Sequence, residues 1–250
     1  MANASHQTPK PISNRIGLKV DGSNDLSILN FILDAVLAVD RSRFDRMVED
    51  VRDLHRIQPE KLIDHYIPEA AQILGREWCA DHMSFAEVTI GSARLQSWVR
   101  DLDRDFDTRS ALDDLDGPSV LLVIPPNTFH TLGTMVALSQ FRRAGASVRL
   151  LICQKIGDVR QALAQTSFDM VALSAPGGTS LDLLRQMVEN IRYRPGKTPL
   201  IVVGGGLLAL EPETKILIGA DFAAHDPKEA LALCGLKICT TGAPPRATRV

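Results

Sequence analysis

The stretch Ile124-Pro125-Pro126-Asn127-Thr128-Phe129-His130-Thr131-Leu132-Gly133 puts a histidine just past an apolar, β-branched run, with a glycine three residues on and a helical pattern behind it. Imidazole is the commonest protein ligand for a metal and titrates near neutral pH. Val120 to Ile124 reads as a buried parallel strand, and ligands of open α/β sheets sit outside the carboxyl ends of such strands. His130 leaves the strand at that point. Gly133 lacks a side chain, so a bulky planar group can approach the backbone beside the imidazole. The competing reading of His130 is a capping or surface residue.

The rest of the second half supplies the elements that would hold such a site. Strand-like runs recur at Val148 to Ile152, Met170 to Ala175, Leu200 to Val203 and Phe222 to Ala224. Helical stretches separate them at Thr134 to Ala144, Val159 to Gln165, Leu181 to Ile191, Glu213 to Ile218 and Lys228 to Cys234. Alternation of this kind predicts a doubly wound, five-stranded parallel sheet, because parallel neighbours need a crossover long enough to hold a helix. Two strands end in small residues, Ser174-Ala175-Pro176-Gly177-Gly178-Thr179 and Gly204-Gly205-Gly206. These leave room between strands and helices for an inserted ligand tail, although either run alone also suits a tight turn.

Taken in order, His130-x-x-Gly133, Ser174, Gly204-Gly205 and Gly219-Ala220-Asp221 resemble the flavodoxin-like cobalamin-binding domain, with its Asp-x-His-x-x-Gly, Ser-x-Leu and Gly-Gly motifs. The resemblance covers residues 119 to about 235. It implies that His130 replaces the benzimidazole of the cofactor as the lower ligand of cobalt, and that Gly133 packs by the corrin. It further implies that Ser174, Thr179, Gly204 and Gly205 line a channel for the freed nucleotide tail. Thr128 stands where the family has an aspartate, and Ser174-Ala175-Pro176 stands for Ser-x-Leu. A carboxylate on the far ring nitrogen orients a metal-bound imidazole and raises its basicity. Thr128 offers only a neutral hydroxyl, which lowers the expectation of radical catalysis.

In the first half, apolar residues recur at helical spacing through four segments, Leu26 to Leu37, Phe44 to Leu54, Leu62 to Leu74 and Val88 to Trp98, which predicts a four-helix bundle. Gln58-Pro59-Glu60 opens the third helix and Gly75 is expected to interrupt its end. Ile67 to Trp78, followed by Met83-Ser84-Phe85-Ala86-Glu87, is similar to the helical cap over the upper corrin face in methyltransferase carriers and cobalamin photoreceptors. In the photoreceptors a tryptophan is followed, after nine residues, by Glu-His. Trp78 matches, and Val88 and Thr89 occupy the other two places, which excludes an upper histidine ligand there. Trp78 also reads as an ordinary core aromatic. His82 reads as a loop residue within reach of the upper face. His225 is a tail contact or a surface residue, while His55 and His65 lie on charged helix faces.

The 250-residue chain, with 45% hydrophobic residues and a net charge of −2, suits two packed units and carries no basic bias toward nucleic acid. The expected organisation is a flexible arm over 1–22, a helical cap over 23–110, a cobalamin-binding α/β domain over 119–240 and a flexible tail over 241–250. Without an apolar leader or a membrane-length run, a cytoplasmic location is expected. Cys79, Cys153, Cys234 and Cys239 lack metal or haem spacing, with Cys153 and Cys234 assigned to the core and Cys79 near the ligand face. No Gly-x-Gly-x-x-Gly follows the first strand, and no Walker loop is present.

The Phe129-His130-Thr131-Leu132-Gly133 motif and the bundle-plus-domain layout resemble the AerR/PpaA antirepressors of photosynthetic bacteria. That resemblance implies a non-enzymatic, light- or redox-linked regulator that binds adenosyl-, methyl- or hydroxocobalamin. Its partner would be a DNA-bound transcriptional repressor, with no specific DNA binding of its own. Two other readings stand beside it, a corrinoid carrier for methyl transfer and a haem-binding sensor on the same fold.

Overall fold

The computed structural model describes residues 24–38, 40–53, 57–110, 117–193, 196 and 198–237. The arm at 1–22, the tail at 241–250, His55 and Cys239 fall outside these. The chain divides into two units, 1–102 and 103–250.

The first unit is helical, with α1 at Asn24–Val36 and α2 at Arg41–Asp53. A continuous helical segment follows, made of α3 (Pro59–Lys61), a π-helical turn (Leu62–Tyr66) and α4 (Ile67–Cys79). The π-turn ends two residues before Pro68, which has no N–H to donate to the carbonyl four residues earlier, and widening the helix there accommodates the missing bond. Tyr66, on this turn, donates its hydroxyl to Asp25 of α1, and Lys61 Nζ lies 3.3 Å from the same carboxylate oxygen. The Tyr66 bond and the ammonium hold the Asp25 carboxyl below its usual range, while burial pushes the Tyr66 phenol up. The α4 helix runs through Gly75 to Cys79, four residues beyond the interruption expected from the sequence.

Helix α5 (Phe85–Ser110) begins with a capping box. Ser84 N–H donates to Glu87 Oε2 at 2.8 Å, and Glu87 N–H donates to Ser84 Oγ at 3.2 Å. The buried stripe of α5 is Gly91, Leu95, Trp98, Val99 and Leu102. Ile90, expected on that stripe, is exposed because Gly91 takes the packed position. A Cβ on Gly91 would lie 2.8 Å from Leu74 and 3.3 Å from Leu37. Arg94 donates to the carbonyls of Val36 and Ala38, closing the C-terminal end of α1.

The second unit is a five-stranded, all-parallel sheet of β1 (Ser119–Ile124), β2 (Ser147–Ile152), β3 (Met170–Ser174), β4 (Leu200–Gly204) and β5 (Phe222–Ala223), in the order β2-β1-β3-β4-β5. This is the flavodoxin-like doubly wound order, whose direction of winding reverses between β1 and β3. The crossovers hold α6 (Leu132–Arg143), α7 (Gly157–Gln165), α8 (Leu181–Arg192), α9 (Leu207–Leu210) and α10 (Thr214–Ile218), and α11 (Pro227–Leu233) follows β5.

Alternation along the strands sends Leu121, Val123, Val171, Leu173, Ile201 and Val203 to the face covered by α7, α8 and α10. Val120, Leu122, Met170, Ala172 and Val202 go to the face covered by α6 and α11. Asp103, in the part of α5 that belongs to this unit, accepts from Arg142 Nη1 of α6 at 2.7 Å. Among the described residues no helix is long and apolar enough to cross a membrane.

Candidate functional site

In doubly wound sheets ligands bind beyond the carboxyl ends of the strands where the winding reverses, here between β1 and β3, and two sequence-selected residues sit at those ends. After β1 the chain turns through Asn127, with φ at 60°, before reaching His130 and entering α6. His130 is exposed, and no described side chain is hydrogen-bonded to its imidazole. Thr128, two residues earlier and half-buried, does not serve as its partner. The orienting contact that a carboxylate would provide is therefore lacking among the described residues. Both ring nitrogens are available to a ligand or solvent.

Gly133 lies in the first turn of α6, and a Cβ built on it meets nothing within 4 Å. Its lack of a side chain is not demanded by the protein's own packing. Phe129, beside His130, is 87% exposed, and Ile152, the last residue of β2, and Leu210, the last of α9, are exposed as well. Large apolar side chains held in water around a crevice suit an apolar or amphipathic ligand surface.

Ser174 ends β3 on the α6 side of the sheet, following Met170 and Ala172 on that face, and pairs in register with Gly204 at the end of β4. The upper end of this face is lined by small residues, Ala172, Ser174, Gly204 and Ala224. The residues of the opposite face at the same level, Leu173 and Val203, are large and closely packed. The hydroxyl oxygens of Ser174 and Thr134 are 2.7 Å apart, which ties β3 to the first turn of α6. Thr134 is 1% exposed. The sequence reading passed over it, although Thr134, Leu138 and Phe141 form the buried stripe of α6 and a hydroxyl opening such a stripe was a usable signal.

The glycines behave differently from one another. Gly204 has limited room, since a Cβ would come 3.0 Å from the Ala224 carbonyl oxygen. At Gly205 the backbone adopts φ 113°, and a Cβ would come 2.6 Å from the Ala175 carbonyl oxygen. That carbonyl also accepts from Leu207 N–H at 3.0 Å, and Ala175 N–H donates to Gly204 O at 2.7 Å. The loops after β3 and β4 are thus locked together, so glycine at 205 is required by the fold itself. Thr179 closes its own turn, donating its hydroxyl to the Pro176 carbonyl at 2.7 Å, with Gly178 at φ 84°.

In the helical unit, Trp78 stands one residue from the end of α4 and is 44% exposed, which overturns its reading as a core aromatic. Trp98 fills that role at 1% exposure, edge-on to Phe44. His82 is an exposed turn residue whose Nδ1 lies 3.0 Å from Glu77 Oε2. His225, past β5, is exposed. Cys79 is exposed and Cys153 buried, as assigned, whereas Cys234 is only half-buried. Burial pushes the Cys153 and Cys234 thiols up to about 11. Among the described residues no group of three His, Cys, Asp or Glu side chains is placed to hold a metal ion.

This sheet order and its reversal point define a doubly wound α/β module, and the comparisons with known proteins specify its family. The B12 binding domain matches residues 118–233, and a second B12 binding domain matches residues 28–102. Both matches are to B12 binding domains, which makes the chain a cobalamin-binding domain protein. A relative from Rhodobacter capsulatus, described as an uncharacterized 20.5 kDa protein in the bchF-crtJ intergenic region, is 29% identical over 182 residues. The match covers 73% of this chain and 94% of the relative. Among solved structures, the monomethylamine corrinoid protein of Methanosarcina barkeri aligns with a TM-score of 0.68 at 13% identity, over 84% of this chain and 98% of that one. That likeness establishes the common fold, helices followed by a parallel sheet.

Proposed function

We propose that this protein is a cobalamin-binding regulatory sensor, light- or redox-linked, that acts on a DNA-bound transcriptional repressor. The observation that carries the reading is the state of His130. It projects at the winding reversal of a B12-binding domain, yet among the described residues no carboxylate orients it. A carrier that must cycle its cobalt through methyl transfer gains from a fixed, basic lower ligand. A sensor needs a cofactor that is held and whose coordination can change. The relative in the bchF-crtJ region of a photosynthetic bacterium supports the regulatory side.

The residues suit the group. His130 supplies a lower ligand, and Gly133 leaves open space beside it. Phe129 and Leu210 offer apolar contact at the rim. Ser174, Gly204 and Ala224 keep the α6 side of the sheet narrow in side chain, which suits a nucleotide tail, with Thr179 and Gly205 shaping the loops around it. Cobalamin supplies a cobalt–carbon bond that light or reductant cleaves, and that chemistry belongs to the cofactor. The chain's own residues would bind the group, with the His130 imidazole offered to its cobalt.

The test is an absorption titration of the full chain with hydroxocobalamin, adenosylcobalamin and haemin, followed by a DNA-retention assay with the cognate repressor. The expected result is a histidine-ligated cobalamin spectrum, no sequence-specific DNA retention by the protein alone, and a repressor–DNA affinity that changes when the cobalamin-loaded protein is added. A haem spectrum without cobalamin uptake would identify the haem sensor. Methyl transfer to a thiol or amine acceptor without an effect on the repressor would identify the carrier.

A further inference from the structure

We propose that the outer edge of β2 is a docking surface on which a partner protein adds an extended segment as a further strand. That segment carries acidic residues on the α7 side of the sheet and apolar residues on the α6 side. The proposal goes beyond the cofactor site and does not depend on it. β2 ends the order β2-β1-β3-β4-β5 and runs for six residues, Ser147–Ile152, whereas β5 at the other end has two. Ser147 N–H donates to the Pro118 carbonyl, and Cys153 N–H donates to the Ile124 carbonyl. Alternation then turns the N–H and C=O groups of Arg149 and Leu151 toward β1 as well, and those of Val148, Leu150 and Ile152 away from the sheet.

An edge of this kind pairs readily with another chain, and proteins commonly blunt it with proline, a bulge or charge. The register of β2 with β1 is unbroken from Ser147 to Ile152, so there is no bulge, and its sequence Ser-Val-Arg-Leu-Leu-Ile lacks proline. Its one charged side chain, Arg149, is exposed, and Ile152 is 58% exposed at the carboxyl end. A single charge selects among partner strands without closing the edge to all of them.

The two faces beside the edge differ in chemistry. Val148 and Leu150 pack on the α6 side, and Ile152 continues their row. Arg149 points to the α7 side, where Lys155 in the loop after β2 and Arg160 of α7 are also exposed. The acid of that loop and helix is Asp158, whose carboxylate accepts from Gln154 N–H at 2.8 Å and Lys155 N–H at 3.0 Å. Three cations against one carboxylate leave this side basic. An added strand alternating acidic and β-branched residues sets its carboxylates beside Arg149 and its apolar row beside Val148, Leu150 and Ile152. A second copy, paired antiparallel about a two-fold axis normal to the sheet, would set the basic side of one edge against the same side of the other. Like charges across a strand pair repel, so charge complementarity selects an acidic partner over the chain itself.

The experiment follows amide hydrogen exchange of the nitrogen-15-labelled full chain by nuclear magnetic resonance. The probe is a capped peptide of alternating glutamate and valine matched to the six residues of β2, with a lysine-for-glutamate peptide as control. The glutamate peptide is expected to slow exchange at Val148, Leu150 and Ile152, and the lysine peptide to leave it unchanged. Ile152→Pro removes an outward N–H without touching a bond to β1 and should weaken glutamate-peptide binding about tenfold. Ile152→Val, which keeps that N–H, should bind as the wild type does. Arg149→Glu should abolish the preference for the acidic peptide.

Unchanged exchange at those amides in the wild type with the glutamate peptide would overturn the proposal, as would equal binding of the two peptides. Protection of the same amides without any peptide, with a doubled mass in sedimentation, would show a second copy on the edge and overturn it too. If Ile152→Pro unfolds, as seen by circular dichroism, the wild-type exchange pattern and the peptide preference of Arg149→Glu decide the matter.

Discussion

A methyl group on Gly205 would lie 2.6 Å from the carbonyl oxygen of Ala175, inside the contact distance of any real pair of such atoms. Because that carbonyl is held by Leu207 N–H, it is not free to move aside. Gly205→Val is therefore expected to destabilise the α/β unit by about 1–3 kcal/mol, through the clash and the positive φ. The thermal midpoint should fall clearly, and an unchanged midpoint would show that the loops after β3 and β4 are not locked as described.

Ser174→Leu separates ligand room from folding. The side chain is half-buried beside Gly204 and small residues, so added bulk fills the face open to the crevice. Hydroxocobalamin uptake should be lost while the far-ultraviolet circular dichroism stays near wild type. Retained uptake in a folded variant would place the nucleotide tail elsewhere.

Gly133→Ala should act with opposite signs on stability and binding. Nothing lies within 4 Å of the added methyl, and alanine is favoured over glycine in helices by about 0.5–1 kcal/mol, so the midpoint should hold or rise. If a corrin packs beside His130, hydroxocobalamin affinity should drop at the same time. Unchanged affinity would move the ring away from this turn.

For His130, the decisive readout is electron paramagnetic resonance of the cobalt(II) form with nitrogen-15-labelled protein. A protein nitrogen coupling is expected in the wild type and should vanish in His130→Ala. Thr128→Asp, which places a carboxylate two residues before the imidazole, should strengthen the histidine-ligated spectrum. A spectrum indifferent to both substitutions would remove His130 from the cobalt.

The two tryptophans should differ sharply. Replacing buried Trp98 with alanine is expected to cost about 3–5 kcal/mol, whereas Trp78→Ala should leave the urea midpoint nearly unchanged because the ring is 44% exposed. A large loss in Trp78→Ala would mean that the ring packs against the protein after all.

The strands, the helices between them and the residues at the rim were legible in the amino-acid order, because apolar runs and helical stripes are local signals and parallel strands demand crossovers. His130 past β1, Ser174 at the end of β3 and Gly204 at the end of β4 could be placed from position alone. What position could not reveal was the job of each residue, which depends on neighbours distant in the chain. The pairing of Thr134 with Ser174, forty residues away, became visible only when α6 folded back onto β3. Gly205 looked like ligand room until the sheet set Ala175 against it. Likewise the register of α5 turned on Gly91 meeting Leu74 and Leu37, which displaced Ile90 to the surface. Local sequence determined which elements form; excluded volume and the pairing of buried polar groups, both properties of the assembled fold, decided which side chains were free to meet a ligand.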